Sequence, residues 1–393
     1  MFRHVYVHVP FCVRRCTYCD FSIAVRKRIP AQEYLAAILR EVALVRAAEP
    51  APAAWTGREL DSRNEAAPGL QTLYFGGGTP SLLPVEALAA LLTSLCDALH
   101  ERLSRDDLEV TLEANPEDVT RERARAWAAA GVNRVSLGAQ SFDDAVLKWM
   151  HRSHDAARIG EAVDALRRAG IHNISLDLIF GLPAELSRDW RRDLERAVAL
   201  DPAHISAYGL AVEERTPLAR WISRGAVRAA GDERYAEEYL LAHARLATSG
   251  YRFYEVSNAA RDGFRSRHNS AYWSGRSYLG LGPAAHSYDG RVRRWNLAAW
   301  EGYRRAVSVQ RPPVEAEEIL SDEQRELERV YLSLRTDAGL PLTALYRPLP
   351  PSTALWLQRG WVDVTSERLV CTPEGWLRLD GIVRDLTDGP VAT

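Results

Sequence analysis

The stretch His8-Val9-Pro10-Phe11-Cys12-Val13-Arg14-Arg15-Cys16-Thr17-Tyr18-Cys19-Asp20-Phe21 decides the reading of this chain. Three thiols, Cys12, Cys16 and Cys19, fall directly after a β-rich run from His4 to Val9. An odd set of close cysteines makes a poor disulfide framework, because one thiol is left over. Thiolates are soft ligands that suit zinc or iron–sulfur centres. A structural zinc site closes with four protein ligands, and no local Cys or His completes this set. His8 precedes Cys12 by four residues, but it lies in the strand-like run, where a core or edge role is expected. Three cysteines instead suit a 4Fe–4S cluster with one iron open to a non-protein ligand. Spacing alone leaves an incomplete zinc site and incidental thiols as alternatives.

The other two cysteines, Cys96 on an apolar helical stretch and Cys371 in a late strand-like segment, read as buried apolar thiols. With 393 residues, two or three domains are expected. Hydrophobic residues at 47% and charged residues at 26% describe an ordinary globular protein. A formal charge of −2 leaves no electrostatic footprint for nucleic acid, so none is expected as a partner. The short run Arg26-Lys27-Arg28 reads as a solvated loop. No secretory leader pattern opens the sequence. The most apolar stretch, Leu82 to Leu99, is broken by Pro84, Glu86, Thr93, Ser94 and Asp97, and so reads as a packed helix. These features predict a cytoplasmic, reducing location in which unpaired thiols persist.

The first half alternates strand-like and helical runs, the pattern of a parallel sheet with helices outside it. Expected strands are Val5–Val9, Thr72–Phe75, Leu108–Glu113, Arg134–Leu137, Ile174–Ile179 and Ile205–Tyr208. Expected helices are Ala31–Ala47, Val85–Arg102, Arg121–Ala130, Ala156–Ala169 and Arg188–Leu200, with a surface loop from Glu49 to Leu70. That makes about six β/α units, fewer than the eight that close a barrel. Beyond Leu210 the alternation fades into a helix over Arg234–Ser249, a strand over Tyr251–Val256 and an aromatic, Gly-rich region from His268 to Trp300. Arg311-Pro312-Pro313 marks a boundary before a charged helix, Ser321–Leu334; the tail, with its strand-like Leu369–Thr372, fits a small winged-helix-like module. The expected units are residues 1–215, 216–312 and 313–393. Nothing basic recommends DNA for the last unit, which reads as a packing or partner-contact element.

Tyr74-Phe75-Gly76-Gly77-Gly78-Thr79-Pro80 follows a strand and precedes a helix, where glycines let the backbone approach a ligand closely. The carboxyl ends of parallel strands are where ligands bind in open α/β sheets. The Lys of a phosphate loop is missing, so carbonyls accepting from an amino-acid ammonium group are the alternative use. Later strand ends add Glu113, suited to a ribose diol because a carboxylate accepts two hydroxyl protons, and then Gln140 and Ser141. Arg152 is suited to a carboxylate. Asp177 sits in an apolar run, where a charge needs a partner.

The spacing C-x3-C-x2-C, with the glycine loop, resembles the signature of the radical S-adenosylmethionine (SAM) superfamily, in which SAM occupies the open iron. His8-Val9-Pro10-Phe11-Cys12, the glycine loop, Glu113-Ala114-Asn115-Pro116, Gly138-Ala139-Gln140-Ser141-Phe142 and Asp177-Leu178-Ile179-Phe180-Gly181-Leu182-Pro183 are similar, in order along the chain, to the oxygen-independent coproporphyrinogen III oxidases and their relatives. The resemblance implies an α/β fold: a partial (β/α)6 TIM-like radical SAM barrel with a C-terminal extension and the winged-helix-like module. It implies cluster ligation by Cys12, Cys16 and Cys19. It places Tyr6, Tyr18, Gly77, Gly78, Thr79, Glu113, Gln140, Arg152, Asp177 and Ala211 at SAM-contacting positions, with a second SAM to be accommodated.

Two features separate the branches of that family. The oxidases carry a further cysteine two positions after the third, where this chain has Phe21. His268-Asn269-Ser270-Ala271-Tyr272-Trp273, followed by Tyr278 to Ser287, resembles the haem-binding motif of the HemW-type haem chaperones. An imidazole beside Tyr272 and Trp273 offers an iron donor and porphyrin-covering rings. His268 is the expected axial ligand and His286 the alternative. The resemblance implies a chaperone that passes haem to an acceptor, a respiratory and membrane-associated haem protein, with the cluster and SAM governing homodimer formation or transfer, or supporting a further, undefined reaction. Coproporphyrinogen oxidation is not expected. Oxidative decarboxylation by a coproporphyrinogen oxidase, or methyl transfer or cyclopropane formation by a two-SAM relative, are the alternatives.

Overall fold

A computed structural model describes residues 2–47, 69–99, 107–345 and 348–387. The first half folds as six parallel strands: β1 (His4–Val9), β2 (Thr72–Gly77), β3 (Glu109–Ala114), β4 (Arg134–Gln140), β5 (Asn173–Phe180) and β6 (His204–Gly209). They are hydrogen-bonded in sequence order, the winding of a β/α barrel sheet. Among the described residues the sheet has nine strands, because later segments extend both edges. β7 (Asn258–Ala260) runs antiparallel to β6 and pairs in turn with Arg252–Phe253, whereas β8 (Leu279–Leu281) runs parallel to β1. The sheet therefore ends at two edges instead of closing on itself.

Alternation along each strand builds two different surfaces. Val5, Val7, Leu73, Phe75, Val110, Leu112, Val135, Leu137, Ile174, Leu176, Leu178 and Ile205 are buried in one apolar core beneath the surrounding helices. Fully burying such a side chain contributes roughly 1.5–3 kcal/mol, and this layer fixes the register. The alternate positions carry polar groups instead: His4 with Thr72, Tyr74 with Glu113, Ser136 with Asp177, and Ser175 with His204 and Ser206. A (β/α)8 barrel fills its interior with branched apolar residues; here the inner face is a hydrogen-bonded polar lining.

Helices Ala31–Ala47 and Arg121–Ala130 have the expected bounds. The helix expected from Arg188 begins at Trp190, because the Asp189 side chain accepts from the Arg192 amide and caps it. The helix expected over 85–102 is seen as Val85–Leu99; positions 100–106, like nearly all of the loop expected over 49–70, lie outside the described residues. The expected strand Tyr251–Val256 shortens to Arg252–Phe253, since Glu255 leaves it to bridge Thr336.

Beyond the barrel, β9 (His286–Tyr288), β10 (Val292–Asn296) and β11 (Val314–Ile319) form an antiparallel sheet. β11 begins the expected third unit and pairs antiparallel with β10 of the second. The tail runs helix (Asp322–Leu334), short strand (Leu340–Pro341), helix (Thr353–Gln358) and hairpin (Val362–Val364, Arg368–Cys371). No helix among the described residues is long and apolar enough to cross a membrane.

Candidate functional site

At the carboxyl ends of β2 to β6 lies a cavity of about 400 Å³ lined by Cys12, Cys16 and Cys19. The segment bearing them leaves β1 through Pro10. It is tied back by parallel pairing of Phe11–Cys12 with Ala24–Val25. No three His, Cys, Asp or Glu side chains among the described residues converge closely enough to hold a single metal ion. Three cysteine thiols lining one cavity are a donor set that fits an iron–sulfur cluster. Burial pushes Cys19 up to about 11 and raises Cys12 as well, while the Thr79 hydroxyl donating to Cys12 Sγ at 3.3 Å opposes the rise. A bound cluster would supply the positive charge that holds them as thiolates.

The glycine loop is shaped by what it must clear. β1 and β2 pair with Val9 opposite Gly77, which carries the loop across the cysteine segment. A Cβ on Gly78 would stand 2.8 Å from the Phe11 carbonyl oxygen and 3.0 Å from Cys12 Sγ. Gly77 has φ +110° and would press a Cβ into the His8 ring at 2.6 Å. His8 is therefore structural: one ring nitrogen meets the Tyr6 hydroxyl at 3.1 Å and the other the Ser22 carbonyl at 3.1 Å.

Across the cavity stand two carboxylates. Glu113 accepts from the Tyr74 hydroxyl (2.9 Å) and the Gly77 amide (3.0 Å), and burial pushes its carboxyl up to about 7. Asp177 accepts from Ser136 (2.8 Å) and Ser175 (3.0 Å), and burial raises it too. Arg152 donates to the Asn115 side chain, to the Gly138 carbonyl at 3.0 Å and to Cys16 Sγ at 3.7 Å. Its Nε is buried without a partner, an orphan donor of the kind a ligand satisfies. Gln140 ends β4 with φ +64° beside a shift in the β4–β5 register, a backbone irregularity typical of ligand sites. Tyr18, Thr79, Gln140 and Ala211 also line the cavity. Tyr6, expected here, does not; Ser141 is turned away to Asp193 at 2.7 Å.

A second cavity, of about 580 Å³, adjoins the first: Phe21 and Gly77 line both. Its wall is aromatic, with Tyr6, Tyr272, Trp273, Tyr278 and Tyr288, and it also carries His286, Arg276 and Arg293. The helix Arg267–Trp273 presents Tyr272 and Trp273 because the buried Glu109 carboxylate accepts from the Arg267 and His268 amides, both at 3.0 Å. His268 itself is buried behind this wall. Its Nδ1 meets the Thr72 hydroxyl at 2.7 Å and its Nε2 the Tyr272 hydroxyl at 2.9 Å; burial pushes it down to about 3, so it is a neutral imidazole. The exposed imidazole on the cavity is His286, stacked on Trp295.

Sequence reading missed Tyr74, Asn115, Phe21 as a shared wall, Tyr288 and the two arginines. Tyr74 and Asn115 stand inside the quoted motifs, beside polar strand ends. Phe21 draws notice in the sequence only for the thiol it replaces. Arg276 and Arg293 carry no signal in a chain whose basic residues are almost all Arg.

A model of the radical SAM superfamily matches residues 6–197. The chain is 39% identical over 385 residues to a protein of Mycobacterium tuberculosis named haem chaperone HemW, covering 97% of this chain and 94% of that one. It is 34% identical to the haem chaperone HemW of Bacillus subtilis over 86% of this chain and 84% of its relative. Among solved structures it resembles the radical SAM coproporphyrinogen III oxidase HemN of Escherichia coli (TM-score 0.77, 22% identity, 98% of this chain and 89% of that chain), a likeness that establishes the fold alone. With these similarities and the three-thiol cavity together, the chain belongs to the HemW-type haem chaperone family of radical SAM proteins.

Proposed function

We propose that the protein binds haem in the aromatic cavity and hands it to an acceptor haem protein, with a 4Fe–4S cluster and SAM held in the adjoining cavity. The observation that carries this reading is the pairing of the two cavities across Phe21 and Gly77. Cys12, Cys16 and Cys19 would hold the cluster. The Gly77–Gly78 backbone and Arg152 would take the amino-acid end of SAM, and Glu113 its ribose; Tyr18, Thr79, Gln140, Asp177 and Ala211 complete the wall. When bound, the cluster and SAM supply one-electron chemistry, while this chain positions them and excludes solvent.

Tyr272 and Trp273 would cover the porphyrin face. Axial ligation by His268 requires it to release the Tyr272 hydroxyl, whereas His286 needs no such rearrangement. A respiratory, membrane-associated acceptor, a homodimer governed by the cluster and SAM, and a cytoplasmic setting that keeps the thiols reduced complete the proposal. Phe21, 56% exposed where the oxidases carry a cysteine, disfavours porphyrinogen oxidation.

The test is anaerobic reconstitution followed by haem titration and incubation with an apo haem protein, alongside product analysis with coproporphyrinogen III, SAM and a reductant. A stable haem complex that empties into the acceptor, without vinyl products, is expected. Vinyl products without a haem complex would replace the chaperone with an oxidase.

A further inference from the structure

The aromatic cavity carries two guanidinium groups that differ in their company. Arg293, on β10, is ion-paired to Glu328 at 2.8 Å and lies 3.7 Å from Glu318. Arg276, three residues beyond the Arg267–Trp273 helix, is exposed. Its side chain makes no hydrogen bond or ion pair with the described residues. The rings of Tyr272, Tyr278 and Tyr288 line the same cavity, Tyr272 edge-on to Tyr278 at 4.5 Å and Tyr278 at 6.3 Å from Tyr288. A wall of ring surface with an uncompensated cation on it asks for a ligand that is both flat and anionic.

Resting on the haem reading above, we propose that Arg276 anchors one propionate of haem lying against this tyrosine wall. Arg293 is the anchor for the second propionate, held in reserve by Glu328. An arginine fork matches a carboxylate with two parallel N–H···O bonds, and such charge-assisted bonds are the strong ones. Ring contacts accept any flat apolar molecule; the cation supplies discrimination in favour of the free acid. Glu328 neutralises Arg293 and repels a nearby carboxylate, so its removal strengthens binding.

The experiment titrates the cluster-loaded protein with haem and with haem dimethyl ester, followed by the Soret band. Wild type is expected to prefer haem over the ester by about tenfold, the scale of one charged hydrogen bond. Arg276→Gln loses about that factor for haem and keeps the wild-type affinity for the ester. Arg276→Lys retains part of the preference, Glu328→Gln binds haem more tightly than wild type, and Arg125→Gln, on an outer helix, matches wild type. An unchanged preference in folded Arg276→Gln overturns the anchor and leaves the haem reading standing. Equal losses for haem and ester assign Arg276 to the wall itself and overturn it as well. Unaltered haem affinity in Glu328→Gln removes Arg293. No haem binding by wild type overturns both the anchor and the haem reading.

Discussion

Cys12, Cys16 and Cys19 line one cavity, whereas Cys371 is buried in the tail and Cys96 packs half-buried on the Val85–Leu99 helix. Serine at any of the first three is expected to abolish cluster absorption after anaerobic reconstitution, with Cys96→Ser and Cys371→Ser keeping wild-type iron; full iron in all three single variants rejects the ligand set. Gly78→Ala is the sharper test, because it leaves every thiol in place. Its Cβ collides with the Phe11 carbonyl and Cys12 Sγ, so iron content should fall although no ligand was removed. Glu113 brings a pH signature. Its folded carboxyl is pushed up from the ordinary glutamate range to about 7 by burial. The folded state then binds the proton more tightly than the unfolded one, and this group's contribution to stability declines as pH climbs through that interval. The ionised form is the one that accepts two ribose hydroxyls. SAM affinity, by calorimetry, should therefore strengthen as pH rises through about 7, and Glu113→Gln should lose that component of the profile.

The Arg267–Trp273 helix is only seven residues long and is held by tertiary contacts, since short isolated helices are marginal in water. Glu109 supplies the main tie by accepting from two of its first amides. Glu109→Ala should cost about 1.5–3 kcal/mol for hydrogen bonds to a charged group. It should weaken haem binding while iron and SAM binding are retained; unaltered haem affinity removes the helix from the haem site. Elements of this kind also mark where sequence legibility ends. The barrel strands were readable because their outer faces repeat Val, Leu and Ile at period two, and the cysteine and glycine motifs were readable because their members are contiguous. β7 and β8 are three residues each, Asn258-Ala259-Ala260 and Leu279-Gly280-Leu281, too short to carry a period. The enclosure of His268 depends on Thr72, far away in sequence, and no local pattern encodes that contact. The aromatic cavity is assembled from β1, the 272–278 segment, β9, β10 and the Asp322–Leu334 helix, so it exists only once the chain is folded.

At the scale of the molecule, Glu41 joins parts that are distant in sequence. From the Ala31–Ala47 helix it accepts from the Gly282 amide (2.8 Å), the Asn296 side chain and the Tyr303 hydroxyl (2.6 Å). All three partners donate, so an amide in its place would turn an NH2 group toward donors. Glu41→Gln should lower stability by about 1–3 kcal/mol, the cost of an unsatisfied buried group, read as a drop in Tm with SAM affinity retained. Phe21 and Gly77 form the wall common to both cavities, and a common wall has a thermodynamic consequence. If filling one cavity shifts that wall, the factor by which SAM alters haem affinity must equal the factor by which haem alters SAM affinity. Phe21→Ala should bring both factors toward one together. A change in one alone would break the binding cycle, so two titrations performed in either order give the same measure of how strongly the cavities are coupled.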